Sequence, residues 1–263
     1  MSDSILDAKN VTMNFGGLRA LNDVSMTIRK GEIVALIGPN GAGKTTFFNC
    51  VTGVYPPSAG TITITPPGKA SEVINGFSPH VVAEKGLART FQNIRLFQNM
   101  TVLENVMIGR HARLKAGILG AVLRDGSTRE EEQKVIHDSY EILKKIELEK
   151  YVNEVAKNLP YGAQRLLEIA RALATEPFLL LLDEPAAGMN PRETGHLDDL
   201  IVRIRDTEDV SIFLIEHDMS LVMRVSERIY VVDYGQLIAE GTPDEIKRNP
   251  VVIKAYLGEE VNA

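Results

Sequence analysis

A chain of 263 residues with 44% hydrophobic and 24% charged content has the balance of an ordinary globular domain with one sizeable core. Its formal charge of −6 runs against the basic excess of dedicated nucleic-acid binders, so no nucleic-acid partner is expected. No apolar run approaches the roughly 18 residues of a membrane span, residues 1–10 lack a charged-then-apolar export signal, and the single Cys50 reads as a buried thiol with no zinc-type Cys/His spacing around it; a cytoplasmic location follows as the expectation.

Residues 5–13 and 23–30 read as two strands around a Phe15-Gly16-Gly17 turn, and Gly31 precedes a short apolar strand over 33–37. Phe15 is open to two readings by position, a ring that stacks on a nucleobase or a plain core aromatic. The next stretch, Gly38-Pro39-Asn40-Gly41-Ala42-Gly43-Lys44-Thr45-Thr46, is a phosphate-binding P-loop: its glycines let backbone N–H groups converge on phosphate oxygens, and the N-terminus of the following helix adds partial positive charge. In that reading Lys44 reaches the β- and γ-phosphates of a nucleotide and the Thr45 hydroxyl ligates Mg²⁺. A helix over 47–54, ending near Gly53, completes the strand, loop, helix order.

Pro56 to Gly60 breaks the chain, 61–65 reads as a strand and 66–69 as a turn; 71–79 is uninformative. In Arg89-Thr90-Phe91-Gln92-Asn93 the amide of Gln92 by itself reads as a surface group, and Leu96, Phe97, Met100 and Val102 follow. The apolar piece 117–123 is read as packing against its own helical neighbours rather than as a partner-facing patch. Thr128 with Glu131 forms a capping box for a helix to about 147, with Val135, Ile136, Ile142, Leu143 and Ile146 as its apolar stripe. Residues 159–164 form a loop, a second amphipathic helix starts at Arg165, and Pro177 stops it.

Leu179 to Leu182 is a fully apolar strand running into Asp183-Glu184-Pro185. Asn190-Pro191-Arg192-Glu193 opens a capped helix, 211–215 is another buried strand leading into Glu216-His217-Asp218, 229–232 another, and 237–239 pairs back after a Tyr234-Gly235 turn. Thr242 caps a last helical region to 257. The fold expected is α/β, of the P-loop NTPase type, with a mostly parallel core sheet, an antiparallel β part and an inserted helical subdomain. The chain is expected to be a single domain over 1–263, with a nucleotide-binding core (1–90 and 178–240), the helical subdomain (91–177) and a C-terminal helical tail (241–263).

Were the strand ends brought side by side, Asp183 would hold Mg²⁺, Glu184 would orient or deprotonate the attacking water, and His217 would contact the γ-phosphate. Ligands sit at that carboxyl edge in parallel sheets.

Together these segments resemble the ATP-binding cassette family, the ATPase subunits of membrane transporters, over almost the whole chain. Gly38 to Thr46 match its P-loop, Gln92 its Q-loop, Leu159 to Gln164 its signature loop, Leu179 to Glu184 its Walker B strand, Ala187 to Asn190 its D-loop and His217 its switch histidine. The resemblance implies that Phe15 stacks on adenine, that Gln92 touches Mg²⁺ or the attacking water, and that Gly162 contacts the nucleotide of an opposite subunit. It further implies a head-to-tail dimer, with itself or with a sister ATPase, around two ATP molecules; transmembrane permease subunits docking near Gln92 to Met100 through Leu96, Phe97 and Met100; an indirect solute-binding partner; and a peripheral place on the cytoplasmic side of the inner membrane. The segments 86–97, 183–191, 215–219 and 255–258 look like the larger ATPase of branched-chain amino-acid importers. Relatives that import urea or amides or export lipopolysaccharide share much of this, and a P-loop kinase is the alternative outside transport. Pro160 stands where the common signature Leu-Ser-Gly-Gly-Gln has its Ser, Tyr161 and Ala163 depart as well, and Asn190 ends the D-loop where many relatives have Asp.

Overall fold

The computed structural model describes residues 4–111 and 126–260, so the 117–123 segment lies outside the described residues. The elements in order are β1 (Ser4–Phe15), β2 (Leu18–Arg29), β3 (Ile33–Ile37), α1 (Lys44–Val51), β4 (Ala59–Ile64), β5 (Glu72–Val73), α2 (Pro79–Glu84), β6 (Leu87–Arg89), α3 (Val102–His111), α4 (Gly126–Lys145), α5 (Tyr161–Leu173), β7 (Leu179–Asp183), α6 (Pro191–Thr207), β8 (Ser211–Ile215), α7 (Met219–Val225), β9 (Arg228–Asp233), β10 (Gln236–Gly241), α8 (Pro243–Arg248) and α9 (Pro250–Glu260).

A six-stranded sheet runs in the order β10-β9-β3-β8-β7-β6, and a four-stranded antiparallel sheet in the order β2-β1-β4-β5. In the larger sheet β6, β7, β8, β3 and β9 are mutually parallel, and β10 returns antiparallel on β9. The apolar runs expected to form a parallel sheet do so because both faces are covered. Ile33, Ala35 and Ile37 join the core under helices α3 to α7, while Val34 and Leu36 join the core shared with α1 and the antiparallel sheet. Leu180 and Leu182 likewise face one core, and Leu179 and Leu181 the other. A strand buried on both sides has no polar position to alternate with, which is why these runs carry no period-2 signature.

Several boundaries differ from the sequence reading. Helix α1 begins at Lys44, so Lys44, Thr45 and Thr46 occupy its first turn. The 71–79 stretch holds β5 and leads into α2 behind Pro79, and β6, only three residues long, adds an unexpected edge strand to the parallel sheet. Helix α5 starts at Tyr161 rather than Arg165, because Pro160, at φ −54 and ψ 151, is the extended N-cap and the chain turns helical directly behind it. Helix α4 begins at Gly126, ahead of the Thr128 expected to cap it. The C-terminal region is two helices, broken where Asn249 (φ −74, ψ 118) precedes Pro250 and is held extended. The Asn190 capping box forms as expected, with Asn190 Oδ1 accepting the Arg192 and Glu193 N–H groups and Glu193 accepting that of Asn190. Among the described residues no helix is long and apolar enough to cross a membrane.

Candidate active site

Strand β3 ends at Ile37, flanked by β8 and β9, so the P-loop leaves the middle of the sheet at its carboxyl edge. Two glycines make the loop possible. A Cβ on Gly38 would lie 2.0 Å from the carbonyl oxygen of Val232, and one on Gly43 2.7 Å from that of Ala20; Gly43 also has φ +106. Backbone fills the space that any side chain would need. Lys44 is buried, and its ammonium donates to the carbonyls of Gly38 at 2.6 Å and Pro39 at 2.8 Å, so the charge lies within the curve of the loop. Asn40, Gly41 and Thr45 face solvent, whereas Ala42 is buried. The β1–β2 hairpin borders this loop through Ala20 and Leu21; Phe15, 40% exposed at the end of β1, meets Tyr55 edge-on at 5.2 Å.

Strands β7 and β8 are adjacent, with Asp183 opposite Ile215. Asp183 is buried, and its Oδ2 lies 2.6 Å from Nη2 of Arg89 at the end of β6. The same guanidinium donates through Nη1 to Asn49 Oδ1 at 2.7 Å and Thr52 Oγ1 at 3.1 Å, and its carbon lies 5.6 Å from the Phe48 ring and 5.4 Å from that of Phe91. Arg89 therefore joins the end of β7 to α1. This residue was missed: a single Arg after two apolar residues gives no sign of burial until β6 is recognised as a strand.

Glu184 extends the ladder by one more bond, its N–H donating to Ile215 O at 2.9 Å, and then turns with φ 47. A left-handed conformation outside glycine costs about 1 to 2 kcal/mol and is concentrated at functional sites. Gln92 Nε2 donates to Glu184 Oε2 at 2.7 Å. His217 Nδ1 lies 3.8 Å from the same Oε2, on a side chain 65% exposed. The structure thus brings Glu184, Gln92 and His217 together from three separate stretches, with Asp183 immediately behind.

Three further buried charges, an Arg165–Glu168 pair and Glu216, support the arrangement. Arg165, fully buried in α5, donates to the carbonyls of Phe91 at 2.6 Å and Gln92 at 2.7 Å and pairs with Glu168 at 3.1 Å. Glu168 in turn accepts the Arg95 N–H at 3.2 Å, and burial pushes its carboxyl up from the usual range. Glu216, at the end of β8 and 1% exposed, accepts three backbone N–H groups and is likewise pushed up by burial. Neither stood out in sequence, where Arg165 looked like the polar start of a helix and Glu216 like the neighbour of His217.

The signature stretch places Gly162 buried and Tyr161 exposed at the first turn of α5. The Tyr161 ring packs beside Gly188, where an added Cβ would lie 3.0 Å from it. Of the three apolar residues expected to meet a permease, Phe97 is 47% exposed and lines a groove of about 510 Å³ with Val54, Val82, Phe91, Arg95 and Arg171. Leu96 is half-buried against the core, and Met100 is half-buried too, its N–H bonded to Phe97 O.

The donor set fits Mg²⁺ and a polyphosphate: Thr45 and Asp183 offer hard oxygens, Lys44 a charge inside the loop, and Gly41, at φ +77 with open space where a Cβ would stand, leaves the exposed backbone of the loop uncovered. Residues 21–187 match the ABC transporter family model. The chain belongs to that family of ATP-hydrolysing cassettes. Residues 236–262 match a second model, that of the branched-chain amino acid ATP-binding cassette transporter. The chain is 49% identical over 259 residues to the high-affinity branched-chain amino acid transport ATP-binding protein LivG of Salmonella typhimurium, covering 98% of this chain and 100% of the relative. Its fold superposes on the ADP conformation of MJ1267, an ATP-binding cassette of an ABC transporter, with a TM-score of 0.82 and 30% identity across 97% of this chain and 99% of that one. The dimeric bacterial ABC transporter cassette MJ0796 follows at TM-score 0.74 and 25% identity, across 90% and 98%.

Proposed function

We propose that this ATPase powers import of branched-chain amino acids, as a peripheral subunit on the cytoplasmic face of a membrane transporter, and that Glu184 is its general base. The observation that carries the site assignment is the convergence of Gln92 and His217 on one carboxylate, that of Glu184, at the carboxyl edge of the sheet beside the P-loop. The end-to-end likeness to LivG supports the solute.

Backbone N–H groups of residues 40–46, with Lys44, hold the phosphates of ATP, and Phe15 stacks on the base. Thr45, Asp183 and Gln92 would hold Mg²⁺, which would supply charge neutralisation at the phosphates. Glu184 Oε2, aligned by Gln92, takes a proton from the attacking water, and His217 steadies the γ-phosphate as it leaves. The signature turn serves the nucleotide of an opposite cassette, either a second copy or a sister. Pro160 has neither hydroxyl nor N–H, so Gly162 and the first N–H groups of α5, which the N-cap side chain does not cap, supply that contact. The dimeric MJ0796 cassette supports this pairing. Residues 91–177 act as a helical subdomain that moves against the core, and the groove around Phe97 receives a cytoplasmic segment of the permease, in a complex that also works with an external solute-binding protein.

The test is purification of the intact membrane complex through this chain, followed by ATPase assays with candidate solutes. Stimulation by leucine, isoleucine or valine with the solute-binding protein present is the expected result. Stimulation by urea, an amide or a lipopolysaccharide instead would overturn the assigned solute.

A further inference from the structure

Glu216 plays no part in the chemistry described above, yet it is among the most enclosed carboxylates of the chain and lies between the two catalytic loops. Its Oε1 accepts the N–H of Ala186 at 2.8 Å, across on the turn after β7, while its Oε2 accepts the N–H groups of His217 at 3.0 Å and Asp218 at 3.2 Å on its own side.

The reason for this bridge lies in the ladder. Strands β7 and β8 pair regularly from Leu179 to Asp183, and the last backbone bond between them is Glu184 N–H to Ile215 O at 2.9 Å. Pro185 has no N–H and cannot continue the pairing. Beyond it, the Glu216 side chain takes over as acceptor, so residues 184 and 186 are both fastened to the end of β8. Glu184, held by the first of those fastenings, carries the left-handed turn, which is closed by Ala187 N–H to Glu184 O at 3.1 Å. On the other side, Asp218 Oδ1 caps α7 through Ser220 at 2.9 Å and Leu221 at 3.3 Å, so the His217 loop is anchored to the helix as well.

We infer that Glu216 is a positioning residue that locks the Glu184 turn and the His217 loop into one rigid unit, fixing the general base and the γ-phosphate ligand relative to each other. This rests on the assignment of Glu184 and His217 to hydrolysis. A hydroxyl-bearing residue at 216 could cap its own loop but would not span to Ala186, and a carboxamide would present an NH₂ group to one of the donors it must accept. Three N–H donors are what keep a carboxylate tolerable at such burial.

The experiment compares Glu216→Gln with the parent in the assembled transporter by steady-state ATPase, affinity for a non-hydrolysable ATP analogue, and amide hydrogen exchange. The expected result is a fall in kcat of about tenfold or more with analogue affinity within about twofold, and faster exchange in the 184–189 and 215–220 segments together while β3 and α6 keep their protection. An unchanged kcat, or parallel losses of kcat and affinity with exchange rising throughout, would overturn the positioning role. Should Glu216→Gln not fold, Glu216→Asp, still charged but one methylene short of the span, is read by the same criteria. Glu184→Gln run alongside separates the two levels: full turnover by that variant removes the assignment of Glu184, whereas its arrest beside an unaffected Glu216→Gln removes only the positioning role.

Discussion

The side-chain amide of Gln92 donates to Glu184 at 2.7 Å while the main-chain carbonyl of the same residue accepts from Arg165 at 2.7 Å. One residue thereby joins the carboxylate proposed as base to the helix that carries the signature turn. Replacing Gln92 by Ala removes the first bond and leaves the second, so Glu184 keeps its place in the fold but loses its alignment. The expected outcome is a kcat reduced by up to about 100-fold with the melting temperature of the protein unchanged, measured by steady-state ATPase and thermal unfolding.

Arg89 and Asp183 form a buried ion pair at 2.6 Å whose partners are 11% and 5% exposed. Arg89→Met keeps an unbranched, uncharged stem but leaves the Asp183 carboxylate enclosed with its cation gone. Urea unfolding should show a loss of about 3 kcal/mol, since breaking a buried pair from one side exposes the full desolvation cost of the other. A change below about 1 kcal/mol would show that Asp183 finds another partner in the folded state.

Asp198 in α6 is 1% exposed, and burial raises its carboxyl from the ordinary value to about 6 in spite of Arg224 at 2.8 Å. The folded state therefore takes up a proton before the unfolded chain does. Its charged form is a cost above pH 6, and that cost is relieved as pH falls from 6 towards 4. Relative to Asp198→Asn, the parent should gain about 1 kcal/mol of unfolding free energy between pH 7 and pH 5, read from paired urea titrations. A difference that does not vary with pH would place the folded value near the unfolded one.

Pro160 sits at the N-cap of α5 with no side-chain hydrogen bond to the helix. Pro160→Ser restores a hydroxyl where the common signature carries one and adds an N-cap acceptor for the first turn. Tighter ATP-dependent pairing of cassettes, by about tenfold at most, is the expected outcome in light scattering or sedimentation; unchanged pairing would show that Gly162 and the helix terminus already supply the whole contact.

The features legible in sequence are those in which one short stretch carries the whole physical reason. The P-loop needs its glycines in order, β7 needs its leucines and the carboxylates that follow, and the caps at Asn190 and Thr242 need only neighbours in the chain. The parts that were not legible depend on partners distant in sequence. Strand β6 exists because β7 offers it an edge, Arg165 is buried because two Q-loop carbonyls meet it, and Glu216 matters because Pro185, thirty-one positions earlier, ends the ladder it replaces. The resemblance to transport ATPases supplied the expected role of Gln92, and the strand end supplied that of His217, but the hydrogen bond from Gln92 to Glu184 comes from the structure.

The central claim is that Glu184 performs the proton transfer on which ATP cleavage depends, and single-turnover hydrolysis by Glu184→Gln in the assembled transporter tests it most directly. The account predicts that ATP stays bound as the triphosphate between paired cassettes, with cleavage slowed by about 100-fold or more. Cleavage at the parent rate, with ADP and phosphate released normally, would contradict it.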